Sequence, residues 1–140
     1  MQATRDERER VALALIEMFN AKAVEQAIDL VTPDFAFKPI STLSRRGDEP
    51  YRGGDGLRRY AIDAFSSWLD LQFEAARFEH KGDTLHAIGI LTAVGLAGSA
   101  RGSAPTTLVF EFRDGRIASV TVQGDQDAIE RAMGIEEPGE

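Results

Sequence analysis

The chain has 140 residues, 43% of them hydrophobic and 28% charged, with a formal net charge of −7 and no cysteine. That length supports one domain with its own core, and the absence of cysteine excludes disulfides, thiolate catalysis and cysteine-ligated metals. The acidic balance opposes nucleic acid, which needs clustered Lys and Arg; the doublets Arg45-Arg46 and Arg58-Arg59 read instead as solvated, salt-bridged surface.

In chain order, Thr4-Arg5-Asp6-Glu7 has the S/T-x-x-E form of a capping box. Behind it Val11, Leu15, Met18 and Phe19 fall at i, i+4, i+7 and i+8, a single apolar helical stripe. Val24, Ala27, Ile28 and Val31 repeat that spacing in a second, short helix. Thr32-Pro33-Asp34 is expected to end it, because the residue before a proline is pushed out of the α region. Residues 34–40, DFAFKPI, alternate Phe35, Phe37 and Pro39 against Ala36 and Lys38, as a short edge strand would. Residues 41–50 form a polar loop. The turn YRGGDG then leads into a third helix carrying Leu57, Tyr60, Ala61, Ala64, Phe65 and Trp68 on its inner face. Its glycines match neither GxGxxG nor GxxxxGK[ST], so a tight turn explains them better than a phosphate loop.

From residue 71 onward the pattern is that of an antiparallel sheet. Strands are expected over 71–80 and 84–95, joined at Lys81-Gly82-Asp83, and over 105–113 and 116–123, joined at Asp114-Gly115. Residues 98–104 read as a loop of small residues. Asp125 is placed to cap a last short helix over 126–133, with Gly134 as its stop. Helices first and strands after them predict one α+β domain over 1–140. Its curved antiparallel sheet wraps around three N-terminal helices and is followed by a short C-terminal helix.

His80 and His86 are the two histidines. Their spacing matches no common zinc pattern, so neither a metal nor a cofactor is expected. No apolar run approaches the roughly 18 residues of a membrane span. MQATRDERER lacks the apolar stretch of a signal peptide, which makes the cytoplasm the expected location.

The order of elements, "YRGGDGLRRY" leading into helix 3 with Trp68 near its end, and "FRDGRIASVTVQGD" before a final helix together carry a resemblance. The chain resembles a SnoaL-like protein of the nuclear-transport-factor-2 superfamily, whose members include ketosteroid isomerases and limonene-epoxide hydrolases. The resemblance runs from about residue 7 to 134. It implies a cone-shaped scaffold, a cavity between the helices and the concave sheet, and a homodimer packed through the outer sheet face. It specifies activity poorly, because this scaffold hosts many chemistries.

Position by position, the resemblance places the isomerases' general base at Lys38, their protonated-acid donor near Leu108 and their oxyanion tyrosine close to Met18 or Phe19. The epoxide hydrolases' ionisable set falls at about Leu91, Gly89 and Val122, with Phe37 and Pro39 in place of a Tyr-Asn pair. Leu108, Val122, Leu91 and Phe37 can neither abstract nor donate a proton, so both mechanisms are disfavoured.

Lys38, Tyr60 and His86 remain as candidates for chemistry. Desolvation would make Lys38 a base, although its alternation against Phe37 points it at water. His86 shares a strand face with Ile88, Ile90 and Val94, opposite Leu85, Ala87, Gly89 and Leu91, which places it on the outer face. The hairpin's alternating Ala118, Val120 and Val122 are expected to face inward. The expected lining is therefore Phe19, Phe37, Tyr60, Trp68, Leu91, Leu108, Phe110, Val120 and Val122, an apolar cavity for a small hydrophobic molecule. An isomerase, cyclase or hydrolase acting on a steroid-, polyketide- or epoxide-like substrate is the alternative, and a dimeric interaction module the third reading.

Overall fold

The structure, a computed structural model, describes residues 5–38, 50–95 and 101–124, with residues 5, 64–70, 93, 95 and 101 described in backbone only. Thr4 of the expected capping box, Pro39, most of the 41–50 loop, and Asp125 with the expected helix 126–133 lie outside them.

Helix α1 (Arg5–Asn20) buries Ala12, Leu15 and Ile16 and half-buries Val11, Met18 and Phe19. Asp6 and Glu7 sit in its first turn, where the helix dipole favours negative charge. The helix ends in a Schellman motif. Ala23 N donates to Met18 O at 2.7 Å and Lys22 N to Phe19 O at 2.9 Å. Lys22 itself takes the left-handed region at φ 62°. Asn20 then clasps the sheet. Its Nδ2 donates to Phe73 O (2.8 Å), its Oδ1 accepts from Phe73 N (2.9 Å), and its own carbonyl accepts from Gln72 Nε2 (2.9 Å). This satisfies backbone groups on a sheet edge that would otherwise be open to pairing, and it holds the end of α1 over the sheet.

Helix α2 (Val24–Ala27) continues as a 3₁₀ turn over Ile28–Leu30. It stops earlier than the spacing suggests, since Val31 is already extended at φ −115° and ψ 158°. Thr32-Pro33 therefore lies inside strand β1 (Val31–Lys38) rather than at a helix end. The same steric push that keeps the residue before a proline out of the helix suits it to a strand. Pro33 donates no ladder hydrogen bond, and the β1 register slips between Val31 and Ala36 around it.

The described residues adopt the expected α+β arrangement, with three helices against a six-stranded, curved and open sheet of order β2-β1-β6-β5-β4-β3. Strand β2 is only Tyr51–Arg52, too short to show an alternation, and sits at the edge, leaving β1 in the interior between β2 and β6. The β1–β6 pair is parallel, so the sheet is mixed; the other pairs are antiparallel. Helix α3 (Gly53–Ser67) starts directly from β2. Gly53 takes φ 70°, and a Cβ on Gly56 would lie 2.7 Å from Tyr51 C. The helix's first turn thus rests on the strand backbone, which only glycine permits. Trp68, expected on this helix, instead opens strand β3 (Trp68–Lys81) with no intervening loop.

Strands β3, β4 (Thr84–Gly95), β5 (Arg101–Arg113) and β6 (Arg116–Gly124) form a meander. Strand β5 begins earlier than expected and takes in residues 101–104 of the predicted loop. Asp114 and Gly115 both have positive φ, 56° and 83°. That is the requirement of a type I′ hairpin turn. Two of the register shifts in the ladders bear on the concave face. On β3, Ala75 pairs Gly89 and Arg77 pairs Ile88, leaving Ala76 unpaired. On β6, Ile117 pairs Phe112 and Ser119 pairs Glu111, leaving Ala118 unpaired. The core sits between the helices and the concave face, around Ala12, Phe35, Leu57, Phe73, Leu85, Phe110 and Ile117.

Candidate functional site

Where α1 and α3 approach the concave sheet, the apolar side chains leave a cavity of about 80 Å³. Helix α1 contributes Leu15, Ile16 and Phe19, and α3 contributes Leu57 and Tyr60. From the sheet come Phe35 and Phe37 of β1, Phe73 of β3, Leu91 of β4, Thr106, Leu108 and Phe110 of β5, and Val120 and Val122 of β6. Strand alternation explains the sheet's share, since 106, 108 and 110 project to one side of β5. Phe35, Phe73, Phe110 and Val120 are buried, whereas Phe37, Leu91, Leu108 and Val122 keep some exposure and form the outer rim.

The β6 bulge changes the expected inward set. Two residues of β6 oppose one step of β5. This turns Ile117 into the core (0% exposed) and leaves Ala118 half-buried at the kink. Beyond the bulge, the alternation places Val120 and Val122 on the cavity.

Of the residues singled out from sequence, the structure brings Phe19, Phe37, Tyr60, Leu91, Leu108, Phe110, Val120 and Val122 around this one hollow. The side chain of Trp68 lies outside the described residues. Lys38 is exposed at the end of β1, opposite Thr121, and is not part of the lining. His86 is half-buried on β4 between Glu79 and Val109, on the face opposite buried Leu85 and Ala87. It too is absent from the lining. Leu15, Ile16, Phe35, Leu57, Phe73 and Thr106 were not in the expected lining. For Thr106 the signal was present, two residues before Leu108 on the same face.

Tyr60 is the polar anomaly of the site. It is 7% exposed. Its ring packs on Phe19 (centroids 5.8 Å), Phe37 (4.5 Å) and Tyr51 (5.3 Å, edge-on), within the range of favourable aromatic pairs. Burial first, and the neighbouring Tyr51 second, push its ionisation well above the usual phenol range, so the hydroxyl stays protonated. Among the described residues it has no hydrogen-bond partner. Tyr51, by contrast, donates to Asp63 Oδ2 at 2.7 Å. The other polar group, Thr106, donates its hydroxyl hydrogen to Ala104 O at 3.1 Å. No described lining residue is a carboxylate, a histidine or a lysine.

Several charged groups elsewhere are engaged with one another. Arg58 bonds Glu25 (2.6 Å) and Asp55 (2.7 Å), and Arg59 lies 3.9 Å from Asp63, so this basic doublet is balanced by carboxylates; Arg45-Arg46 lies outside the described residues. His80 Nε2 meets Glu9 at 2.6 Å and joins the start of α1 to β3. Among the described residues no group of His, Asp and Glu is arranged to hold a metal. No described helix is long and apolar enough to cross a membrane.

The curved open sheet with helices against its concave face is the fold of NTF2-like solved structures. Solved structures that share it include these three. TerC, co-crystallised with polyporic acid, is 16% identical with TM-score 0.80, covering 91% of this chain and 98% of its own. An NTF2-like protein of unknown function from Burkholderia pseudomallei is 13% identical with TM-score 0.78, covering 91% and 97%. A candidate polyketide cyclase from Xanthomonas campestris pv. campestris is 16% identical with TM-score 0.76, covering 94% and 99%. At such identities the likeness is one of fold. The SnoaL-like domain family matches residues 12–120, and the chain belongs to that family. No curated protein matches the chain in sequence.

Proposed function

We propose that this protein is a single SnoaL-like domain that binds a small hydrophobic molecule in the cavity beneath α1 and α3. The observation that carries this reading is the chemistry of the described lining: aliphatic and aromatic side chains, plus two neutral hydroxyls. Such a wall gains from displacing water and offers few groups to a polar ligand. Cyclopentane is expected to cause saturable methyl shifts at Leu15, Leu57, Leu108, Val120 and Val122 in NMR titration, with Ile88 and Ile90 on the outer face unmoved. Shifts that fail to saturate, or that spread evenly over the surface, would remove the reading.

An enzyme of the isomerase, cyclase or hydrolase kind is the second reading, favoured by the cyclase-like neighbour. Proton abstraction needs a base within hydrogen-bond reach, and no described lining residue supplies one. Protonated Tyr60 can polarise an oxygen but does not act as that base.

A homodimer through the outer sheet face accompanies the binding reading. Ile90 is 41% exposed there, with Ile88 and Val109 half-buried on the same face. Val94, expected to share this patch, is buried at the end of β4 and adds no exposed surface. Sedimentation at micromolar concentration is expected to give twice the chain mass, and Ile90→Lys to halve it. A wild-type monomer would exclude the dimer.

A further inference from the structure

We propose that the cavity selects compact, neutral molecules carrying one hydrogen-bond-accepting oxygen, such as a ketone, and that the Tyr60 hydroxyl is the donor that selects them. This rests on the binding reading above and narrows it to a ligand chemistry.

The two adjacent tyrosines make the case. Tyr51 and Tyr60 stand edge to face, both buried, yet of the two only Tyr51 has a partner for its hydroxyl among the described residues, at Asp63. Among the described residues the fully enclosed polar side-chain atoms without a partner are Arg8 Nε and His80 Nδ1, so the Tyr60 oxygen reaches open space. A donor on an otherwise apolar wall gains about 0.5–1.5 kcal/mol net from a bound acceptor. The Tyr60 ring is held against Phe19, Phe37 and Tyr51, which fixes where its hydroxyl sits. A water molecule is a poor substitute, because it needs two to four polar partners. Apart from Tyr60, the described lining offers only Thr106, whose hydrogen is already given to Ala104 O.

Charge and size narrow the class further. A carboxylate ligand would be buried without a cation, and an ammonium without an anion, because no described lining residue carries either charge. The oxygen is therefore that of a neutral group. The hollow encloses about 80 Å³. That is smaller than the cavity of about 150 Å³ that takes benzene in another protein. The enclosed portion of the ligand is thus compact, and any longer part passes the rim at Phe37, Leu91, Leu108 and Val122.

Cyclopentanone and methylenecyclopentane have nearly the same shape and differ in the acceptor oxygen. Tyr60→Phe keeps the ring and removes only a hydroxyl without a described protein partner, so the variant is expected to fold as the parent does. The variant should bind the ketone about tenfold more weakly and the alkene within twofold of wild type. The carbonyl carbon resonance of bound ketone should move downfield in wild type and return in the variant. Equal effects on both ligands, or an unmoved carbonyl resonance, would overturn the donor role while leaving the cavity as an apolar binding site. If neither compound binds wild type, both readings fail.

Discussion

Gly89→Ala is expected to lower the thermal unfolding midpoint by about 10 °C, the equivalent of about 3 kcal/mol for a chain of this length. A Cβ on Gly89 would stand 1.9 Å from Glu74 O, 2.8 Å from Glu74 C and 2.9 Å from Ala75 Cα. All three are backbone atoms, so no rotamer change relieves the overlap. The strands must separate, and they would do so at the β3 bulge that leaves Ala76 unpaired and helps bend the sheet around the helices. The loss thus reaches Phe73 and Leu91, which pair with each other just before the bulge and line the cavity. Gly82→Ala is the control: nothing lies within 4 Å of its Cβ, though its φ of 60° is unfavourable for alanine. That variant should lose only about 1 kcal/mol. Circular dichroism melts of the two variants give the comparison, and a Gly89→Ala midpoint no lower than that of Gly82→Ala would contradict it.

Phe110→Ala is expected to cost about 3–5 kcal/mol and, in exchange, to widen the hollow. Phe110 is 0% exposed, pairs Leu85 and Val120 across its two neighbouring strands, and already lines the cavity. Removing its ring therefore adds space to an existing void whose far walls are fixed by other aromatic side chains, so little collapse is available to repair it. The enlarged space should stay dry, because its lining is apolar. Benzene at about ten times its Kd should then restore about 1.4 kcal/mol, roughly 5 °C in midpoint, with a smaller effect on wild type. Phe110→Leu offers the same test in a milder form should the alanine variant be too unstable to purify. A loss below about 1 kcal/mol, with no recovery on adding benzene, would show that Phe110 does not wall an apolar void.

Much of this arrangement was legible from the residues. The order of helices and strands follows from a change of apolar period from 3.6 to 2, a purely local property. Gly82 and Asp114-Gly115 marked turns for a steric reason, since positive φ is tolerated by few residue types. On β4 the alternation placed Leu85, Ala87 and Leu91 inward and His86 outward, as observed. The site around Tyr60 was partly legible for the same reason: large apolar residues at period 2 on neighbouring strands must share a face.

Other features had no local signature. The parallel pairing of β1 with β6 joins Phe37 to Val120, far apart in the chain. No periodicity within either segment states which neighbour it will choose. Strand β2 owes its existence to hydrogen bonds with β1, because two residues carry no pattern of their own. Trp68 begins a strand rather than finishing a helix because Gly95 and Val94 of β4 pair Trp68 and Asp70 and carry the ladder that far.

The amino-acid order alone determined the class of fold, the turns, the acidic surface and the apolar character of the inward strand faces. Each follows from short-range sterics or from the free energy of taking a side chain out of water. Only the tertiary structure decided the phase at the β6 bulge, which turned Ile117 rather than Ala118 into the core, and the isolation of the Tyr60 hydroxyl beside a satisfied Tyr51. Those depend on how the sheet bends over the helices, and a bend is set by contacts between distant segments.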